Sequence, residues 1–562
     1  MQTVEEQRWL QALQKSVQPW ELQRLKNEEE RADSFAGSVH FGTGGIRALM
    51  GVGPNRLNRL TVAKASAGLA ECLRVTLDAT ANERDGLLVL VAYDTRIHSA
   101  EFAATTACTL AAAGVRVLMF SEPQHTPVLS YAVRVLGAHA GVVITASHNS
   151  AEYNGFKVYD SAGDQATDAF AHGVQSAMAN VDPFEVAQLS MDEAQRRGLV
   201  AWISPKVVDD YTSAVLAQST GVGCAGLRIV YTPLNGTGCA IARRVLATRG
   251  VSYSLVKDQA EPNGMFTTCP KPNPEHASAL QLAMKQALAQ NADLALANDP
   301  DADRIGAAVR CEQGMRVLTG DEMGLLLLDF LCRVVSMPAR AVAVTTIVSS
   351  PLLNEVAAAN KIALRRTLTG FKYIGEQVNL LEAQGRVDDF LVGVEESCGY
   401  LRGSYVRDKD GIVSLMLLCE LAAWHKRRGK NLVQALDELY DNYGHIMSKQ
   451  VAVELGEAAG QEASRRVMEG LRAEPPASLG DLAVQRVVDY ARGVAMPGDA
   501  EQRLPKANVL QLDLDYGYKV IVRPSGTEPK IKAYCFAKGP TATHVQERLA
   551  RLVDATRDLL SI

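Results

Sequence analysis

The stretch Leu294-Ala-Leu-Ala-Asn-Asp299-Pro-Asp301-Ala-Asp303-Arg304 runs from a short apolar segment straight into three alternating carboxylates. The apolar run reads as a buried strand. Pro300 removes a backbone donor and argues against helix, so the acidic segment reads as an extended loop at a strand end. In an extended chain, residues i, i+2 and i+4 point to one side. Three like charges crowded there repel unless a cation neutralises them, and all-oxygen ligands suit a hard ion such as Mg²⁺. A solvated acidic turn is the competing reading. An EF-hand loop is excluded, because its glycine position holds Arg304 and its twelfth position, which should be Glu, holds Arg310. A phosphatase-type Asp-x-Asp loop fits poorly, since a third carboxylate stands where a small Thr or Val is expected.

Working outward, the same arrangement recurs. Residues 87–92 read as a buried strand, 99–113 as a helix and 115–120 as a second strand; 141–144 then forms a strand running into Thr145-Ala-Ser-His-Asn149. A second unit has a strand at 227–231, a helix over 237–248, a strand at 251–256 and the run at 294–297. A third opens with 341–347 and reaches 390–393, which runs into Val394-Glu-Glu-Ser397. Short apolar strands alternating with helices imply parallel sheets with helices on both faces, and ligands bind beyond the carboxyl ends of such strands. All three polar clusters fall there. The expected fold is therefore α/β: three homologous mixed or parallel α/β domains (1–207, 208–318 and 319–450) around a shared cleft. The remainder, 451–562, differs. Strands at 509–515, 518–522 and 531–536, a polar loop between them and a helix from about Thr543 make it α+β. The first 35 residues read as helices.

Composition excludes several classes. At 562 residues the chain is too long for one core and implies roughly three to five domains. A formal charge of −5 gives no overall pull toward nucleic acid or anionic membrane. The ten cysteines include no Cys-x-x-Cys pair, which argues against a zinc site or a disulfide framework. No basic N-terminal leader and no apolar run of membrane-spanning length are present. The expectation is a soluble cytoplasmic protein without nucleic-acid or membrane partners, monomer or dimer.

Three further clusters carry chemistry. Ser147 lacks the Gly-x-Ser-x-Gly elbow, so an acyl-transfer triad is disfavoured, and a serine needs a base or use as a preloaded phosphoryl carrier. A polar turn capping the following helix is the alternative. Lys157, in Asn154-Gly-Phe-Lys157, could enter the same cleft as acid, base or cation. Arg523-Pro-Ser-Gly-Thr-Glu-Pro-Lys530 reads as an anion cradle: Arg523 offers a planar fork, Ser525 and Thr527 hydroxyls, and Gly526 close backbone approach. Glu395 and Ser397 could bond sugar hydroxyls. Phe41-Gly-Thr-Gly-Gly-Ile-Arg47, Asp94-Thr-Arg96-Ile-His98-Ser99 and Arg407-Asp-Lys409-Asp-Gly411 add basic groups, the last to the third domain; Asn235-Gly-Thr-Gly238 reads as structural.

Taken in order, these clusters resemble the α-D-phosphohexomutases over essentially the whole chain. Thr145 to Asn149 is similar to that family's phosphoserine loop, 299–304 to its magnesium loop, 393–397 to its sugar-recognition loop and 523–530 to its phosphate-binding loop. The stretches 41–47 and 49–51 resemble most the long phosphoglucomutase branch, which includes phosphopentomutases and sugar-bisphosphate synthases. Two positions depart. Ser150 stands where many members have proline, and Cys398-Gly-Tyr400 follows Glu-Glu-Ser where phosphomannomutases and phosphoglucosamine mutases commonly have Gly-His. The second departure favours a phosphoglucomutase.

The resemblance implies a phosphoserine at Ser147, with one Mg²⁺ held by Ser147, Asp299, Asp301 and Asp303. It implies Arg47 and Arg304 flanking that phosphate, and Lys157, His148 and Lys409 as proton-transfer candidates. Hexose phosphates would be gripped by Thr369, Gly370, Glu395, Ser397, Arg523, Ser525, Gly526 and Thr527. The implied reaction interconverts glucose 1-phosphate and glucose 6-phosphate, with glucose 1,6-bisphosphate as intermediate and activator. Phosphomannomutase, phosphopentomutase and glucose 1,6-bisphosphate synthase are the catalytic alternatives. A sugar-phosphate-binding protein without turnover is the alternative of another class.

Overall fold

A computed structural model of the chain describes residues 3–42, 44–78, 86–454, 460–524 and 530–561. It divides into two compact units. One comprises Met1–Ser219, Gly223–Arg310 and Ser404–Cys419; the other comprises Thr220–Val222, Cys311–Gly403 and Glu420–Ile562.

The first unit opens with the expected helices, Val4–Leu13, Pro19–Arg24 and Glu28–Phe35. Local signals start each one: a Thr3/Glu6 capping box, Pro19 in the first turn, and the Asn27 side chain accepting from the Glu29 and Glu30 amides. The first sheet places Gly45–Leu49, Tyr153–Asp160, Ala140–Ile144, Leu88–Tyr93, Arg116–Met119 and Val200–Trp202 side by side. The last four are parallel and the first two antiparallel. Ala140–Ile144 is buried at every position, which is why it reads as an unbroken apolar run. The second sheet sets Ser252–Leu255, Arg228–Thr232 and Leu294–Asn298 parallel, with Ile305–Cys311 returning antiparallel.

In the second unit, Ala363–Thr367, Val342–Thr346 and Phe390–Glu395 are parallel, and Gly399–Leu401 returns antiparallel. The C-terminal sheet is wholly antiparallel, from His445–Glu454 through Lys530–Gly539, Lys519–Pro524, Leu510–Leu514 and Leu482–Asp489 to Ser478–Leu479. Its alternate residues divide two cores, as the period of a strand requires. Val520, Val522, Ala533 and Cys535 pack with helix residues Met468, Val545 and Leu552. Ile521, Tyr534 and Phe536 pack with Ile347, Val348 and Leu368.

Of the two forms expected, mixed or parallel, the first three sheets are mixed: after each polar loop the chain returns antiparallel beside the strand it has just left, because so short a loop makes a hairpin and not a crossover. Two other expectations are corrected. The segment 299–304 is a turn, not an extended loop; Ala302 N–H donates to Asp299 O (2.9 Å) and Ala302 has φ 51. The carboxylates converge because the backbone coils, not because side chains alternate. Lys409 does not stay with its sequence neighbours, since Ser404–Cys419 folds into the first unit. The strand His445–Glu454, paired along its length with Lys530–Gly539, runs across the expected boundary at 450.

Each of the three polar loops bends at a non-glycine residue in the left-handed region: Ser147 (φ 51), Ala302 (φ 51) and Cys398 (φ 62). Such residues are uncommon and cluster at functional sites. One tie elsewhere in the first unit is pH-dependent. His98 Nδ1 lies 2.9 Å from Glu101 Oε2 and Nε2 lies 3.1 Å from Glu21 Oε2. Burial alone would lower its pKa, but the hydrogen bonds and charges of Glu101 and Glu21 raise it to about 9. A histidine raised in the fold contributes stability in full below the unfolded value of about 6.5 and loses it as pH rises through about 9. His98→Gln is therefore expected to lower Tm by roughly 2–4 °C at pH 6, with the difference gone at pH 10 in a calorimetric series.

Candidate active site

Two of the hairpin loops meet in the first unit. The strand Ala140–Ile144 delivers Thr145 to Ser150, and Leu294–Asn298 delivers the acidic turn. Ser147 Oγ donates to Asp299 Oδ2 at 2.7 Å and lies 3.2 Å from His148 Nδ1. Ser147 is 2% exposed, and Asp299, Asp301 and Asp303 are as deeply buried.

Cations arrive from separate segments. Lys157, on the return strand Tyr153–Asp160, places Nζ 2.9 Å from Asp301 Oδ2 and 3.8 Å from Asp303 Oδ2. Lys409 Nζ lies 3.0 Å from Asp303 Oδ2 and 3.2 Å from Asp408 Oδ1. Thr126 Oγ1 donates to Asp301 Oδ2 at 2.9 Å. Burial, then the charges of Asp303 and Asp301, pushes the Asp299 carboxyl well above the carboxylate range. Burial also acts to raise Asp301, but the Lys157 charge and hydrogen bond outweigh it and hold that carboxyl low. Burial, then the charges of Arg304 and Arg47, holds the His148 imidazole well below the usual histidine range.

The triad fits a hard divalent cation. Its ligand oxygens lie within 4.8 Å of one another. Asp301 Oδ1 and Asp303 Oδ1 are buried and accept no hydrogen bond among the described residues. Buried carboxylate oxygens without donors are costly unless a metal takes the lone pairs.

The loops are braced by residues whose task the sequence did not show. The buried Arg96 guanidinium donates to four carbonyls of the serine loop: Ser147 O at 2.5 Å, Ser150 O at 2.8 Å, Tyr153 O at 3.0 Å and Asn149 O. Its Nε sits 3.2 Å from Asp94 Oδ2, and its face lies over the Phe266 ring. Arg47 Nη1 donates to Asn149 Oδ1 at 2.9 Å. Arg304 pairs with Glu275 at 2.6 Å. Thr237, from the Gly-rich stretch read as structural, gives both its N–H (2.9 Å) and its hydroxyl (3.0 Å) to Pro300 O. Gly411 lies so close to the acidic turn that a Cβ there would be 2.5 Å from Arg304 O and 2.7 Å from Ala302 O. The Asp-x-Arg spacing at 94–96 was the available signal for Arg96; nothing local marked Thr126 or Gly411.

In the second unit, Glu395 ends the strand Phe390–Glu395 and is buried. Glu396 turns inward, where Oε2 accepts from Thr346 Oγ1 (2.7 Å) and Ser349 Oγ (3.1 Å); burial and then Glu395 raise its pKa to about 7. Arg366 donates to Thr346 O, Ser349 O and Ser350 O, a second carbonyl-bracing arginine. Gly370, at φ 121, precedes the helix Phe371–Ala383, and the buried Thr369 Oγ1 has no hydrogen-bond partner among the described residues. Arg523 hydrogen-bonds Tyr534, whose hydroxyl also feels the charges of Glu396 and Glu395. Tyr534, which the sequence reading missed, thus joins the sugar-loop carboxylates to the first residue of the anion cradle. Ser525, Gly526 and Thr527 lie outside the described residues.

Comparison with known proteins fits this geometry. Models described as phosphoglucomutase/phosphomannomutase, alpha/beta/alpha domains I, II and III match residues 38–184, 209–314 and 319–443. A Staphylococcus aureus protein named phosphoglucomutase is 31% identical over 561 residues, covering 98% of this chain and 99% of its own. A Staphylococcus epidermidis phosphoglucomutase is 32% identical over 533 residues, covering 94% and 95%. Among solved structures, Paramecium parafusin, a phosphoglucomutase in an open form, aligns with TM-score 0.70 at 18% identity over 94% of this chain and 95% of its own. A phosphoglucomutase/phosphomannomutase family protein of Burkholderia thailandensis aligns with TM-score 0.67 at 19% identity over 92% and 97%. Those two likenesses concern the fold: three α/β domains followed by a β-rich one. With its three domain models matched in order and its relatives spanning nearly the whole sequence, the chain belongs to the phosphoglucomutase/phosphomannomutase family of α-D-phosphohexomutases, enzymes of phosphoryl transfer.

Proposed function

We propose that this enzyme interconverts glucose 1-phosphate and glucose 6-phosphate through a phosphoserine at Ser147. The observation that carries the reading is the 2.7 Å contact of Ser147 Oγ with a buried triad of carboxylates, in a chain whose full-length relatives are named phosphoglucomutase. In the forward step the bond from phosphorus to Ser147 Oγ breaks as one forms to the free hydroxyl of the sugar, and the hydroxyl proton passes to a side chain. Lys157, His148 and Lys409 are the candidates for that proton. The resulting glucose 1,6-bisphosphate returns its other phosphate to Ser147.

Asp299, Asp301 and Asp303, with the Ser147 oxygen, would hold Mg²⁺, which when bound offsets charge on the phosphoryl oxygens. Arg47 and Arg304 add positive charge beside Ser147. Arg96 fixes the direction of the Ser147 side chain by holding the backbone of its loop. For the sugar, Glu395 and Ser397 would accept and donate to hydroxyls. Thr369, Gly370 and Arg523, with Ser525, Gly526 and Thr527, would grip the phosphate that is not reacting.

The deciding assay follows glucose 6-phosphate formation from glucose 1-phosphate with Mg²⁺, with and without trace glucose 1,6-bisphosphate. Rapid turnover stimulated by the bisphosphate is expected. No turnover by folded, phosphorylated enzyme would overturn the glucose reading in favour of a mannose or pentose phosphate or bisphosphate synthesis. Ser147→Ala is expected to abolish turnover; near-wild-type activity would sink the phosphoserine. Arg96→Gln is expected to lower kcat at least about tenfold with KM little changed, with Arg96→Lys recovering only part; an altered KM alone would contradict its positioning role. Arg523→Ala should raise KM for every sugar phosphate tested.

A further inference from the structure

The second unit contains a cavity of about 660 Å³ at one end of the C-terminal sheet, and none of the residues assigned above lines it. Its volume is that of a small-molecule site. Its walls combine Tyr516, Tyr518, His445, Lys538, His544 and Arg548, against one carboxylate, Glu355. Two of its features have no structural explanation.

The first is Tyr516. It is 76% exposed, the most exposed aromatic side chain in the described residues, and its backbone is left-handed at φ 58. The turn Asp515–Gly517 that carries it is pinned. The Asp515 carboxylate accepts from Ala483 N–H (2.9 Å) and from Gln485 Nε2 (2.6 Å), and Tyr518 N–H donates to Asp515 O (3.1 Å). A ring held out on so fixed a turn is a preorganised flat surface, with Tyr518 edge-on behind it at a centroid distance of 6.5 Å.

The second is the positive charge in the same wall. A Cβ added at Gly517 would lie 2.8 Å from Lys538 Nζ, so the ammonium rests against the turn that carries Tyr516. Gly539, Pro540 and His544 bring in the start of Ala542–Leu560, a 19-residue helix capped by Thr541. Its dipole adds to the attraction for an anion. Arg548 is held toward Asp481 at 2.7 Å and so frames the wall.

A flat π face beside a lysine and a helix N-terminus suits a ligand with a planar ring and a phosphate. Inorganic phosphate would leave Tyr516 uncovered, and a hexose phosphate offers it no aromatic face. We propose that this cavity binds a nucleoside 5′-phosphate, with its base stacked on Tyr516 and its phosphate on Lys538 and the helix start. The site is independent of the sugar-phosphate reaction.

The test is calorimetric titration of the full chain with AMP, in parallel with glucose 6-phosphate and inorganic phosphate. Tyr516→Ser should weaken AMP at least about fivefold while leaving inorganic phosphate unchanged. Lys538→Glu should weaken both by about tenfold or more. Arg523→Ala, which reports binding at the substrate grip, should leave AMP unaffected. Circular dichroism checks that each variant is folded. No AMP binding at millimolar concentration would overturn the proposal, as would AMP binding lost in Arg523→Ala and kept in Lys538→Glu. Glucose 6-phosphate binding that falls equally in Tyr516→Ser would overturn the nucleoside in favour of a sugar phosphate.

Discussion

Burying three aspartates in one turn is the constraint from which the first unit follows. Removing charges from water costs several kcal/mol per ion unless they are paired, and Asp299, Asp301 and Asp303 are almost wholly buried. The chain answers with side chains from elements far apart in sequence. Lys157 comes from the return strand of the first sheet and Thr126 from the start of the helix Thr126–Val135. Lys409 comes from a segment that leaves its own part of the chain. That segment is tied down on both sides of the lysine: Tyr159 OH donates to Asp408 Oδ2 (2.6 Å), Tyr211 OH to Asp410 Oδ2 (2.7 Å), and Gly411 N–H to Ala302 O (3.1 Å).

A second constraint acts on the backbone. A hairpin loop that bends through a left-handed residue leaves carbonyls without ladder partners, and buried carbonyls need donors. In the first unit the buried Arg96 supplies them under the serine loop; in the second, the buried Arg366 does the same for the segment 346–350 that follows the strand Val342–Thr346. Five donors in a rigid fork let one side chain serve several carbonyls. Ser147 is thereby held by its main chain, with its hydroxyl donating to Asp299.

Much of the fold was legible. Strands such as Ala140–Ile144 and Phe390–Glu395 are buried on both faces and so carry unbroken apolar runs. The helices at 99–112 and 542–560 lie where periodicity put them. The first return strand was missed because Tyr153–Asp160 carries Asn154, Gly155 and Lys157, a polar stretch that reads as loop. Gly155 is there because a Cβ would strike Thr145 O and Ile46 O, a contact no local pattern announces.

The sequence by itself determined the candidate groups: a serine after one buried strand, three carboxylates after another, a Glu-Glu-Ser after a third. These depend on residue type and on position relative to apolar runs, both local properties. Only the tertiary structure decided which cations neutralise the carboxylates, that the acidic segment coils, and that Lys409 joins Asp303. Those outcomes rest on pairing charges across more than a hundred residues of chain, and the energy of such a pair is set by distance and burial, which sequence spacing does not encode.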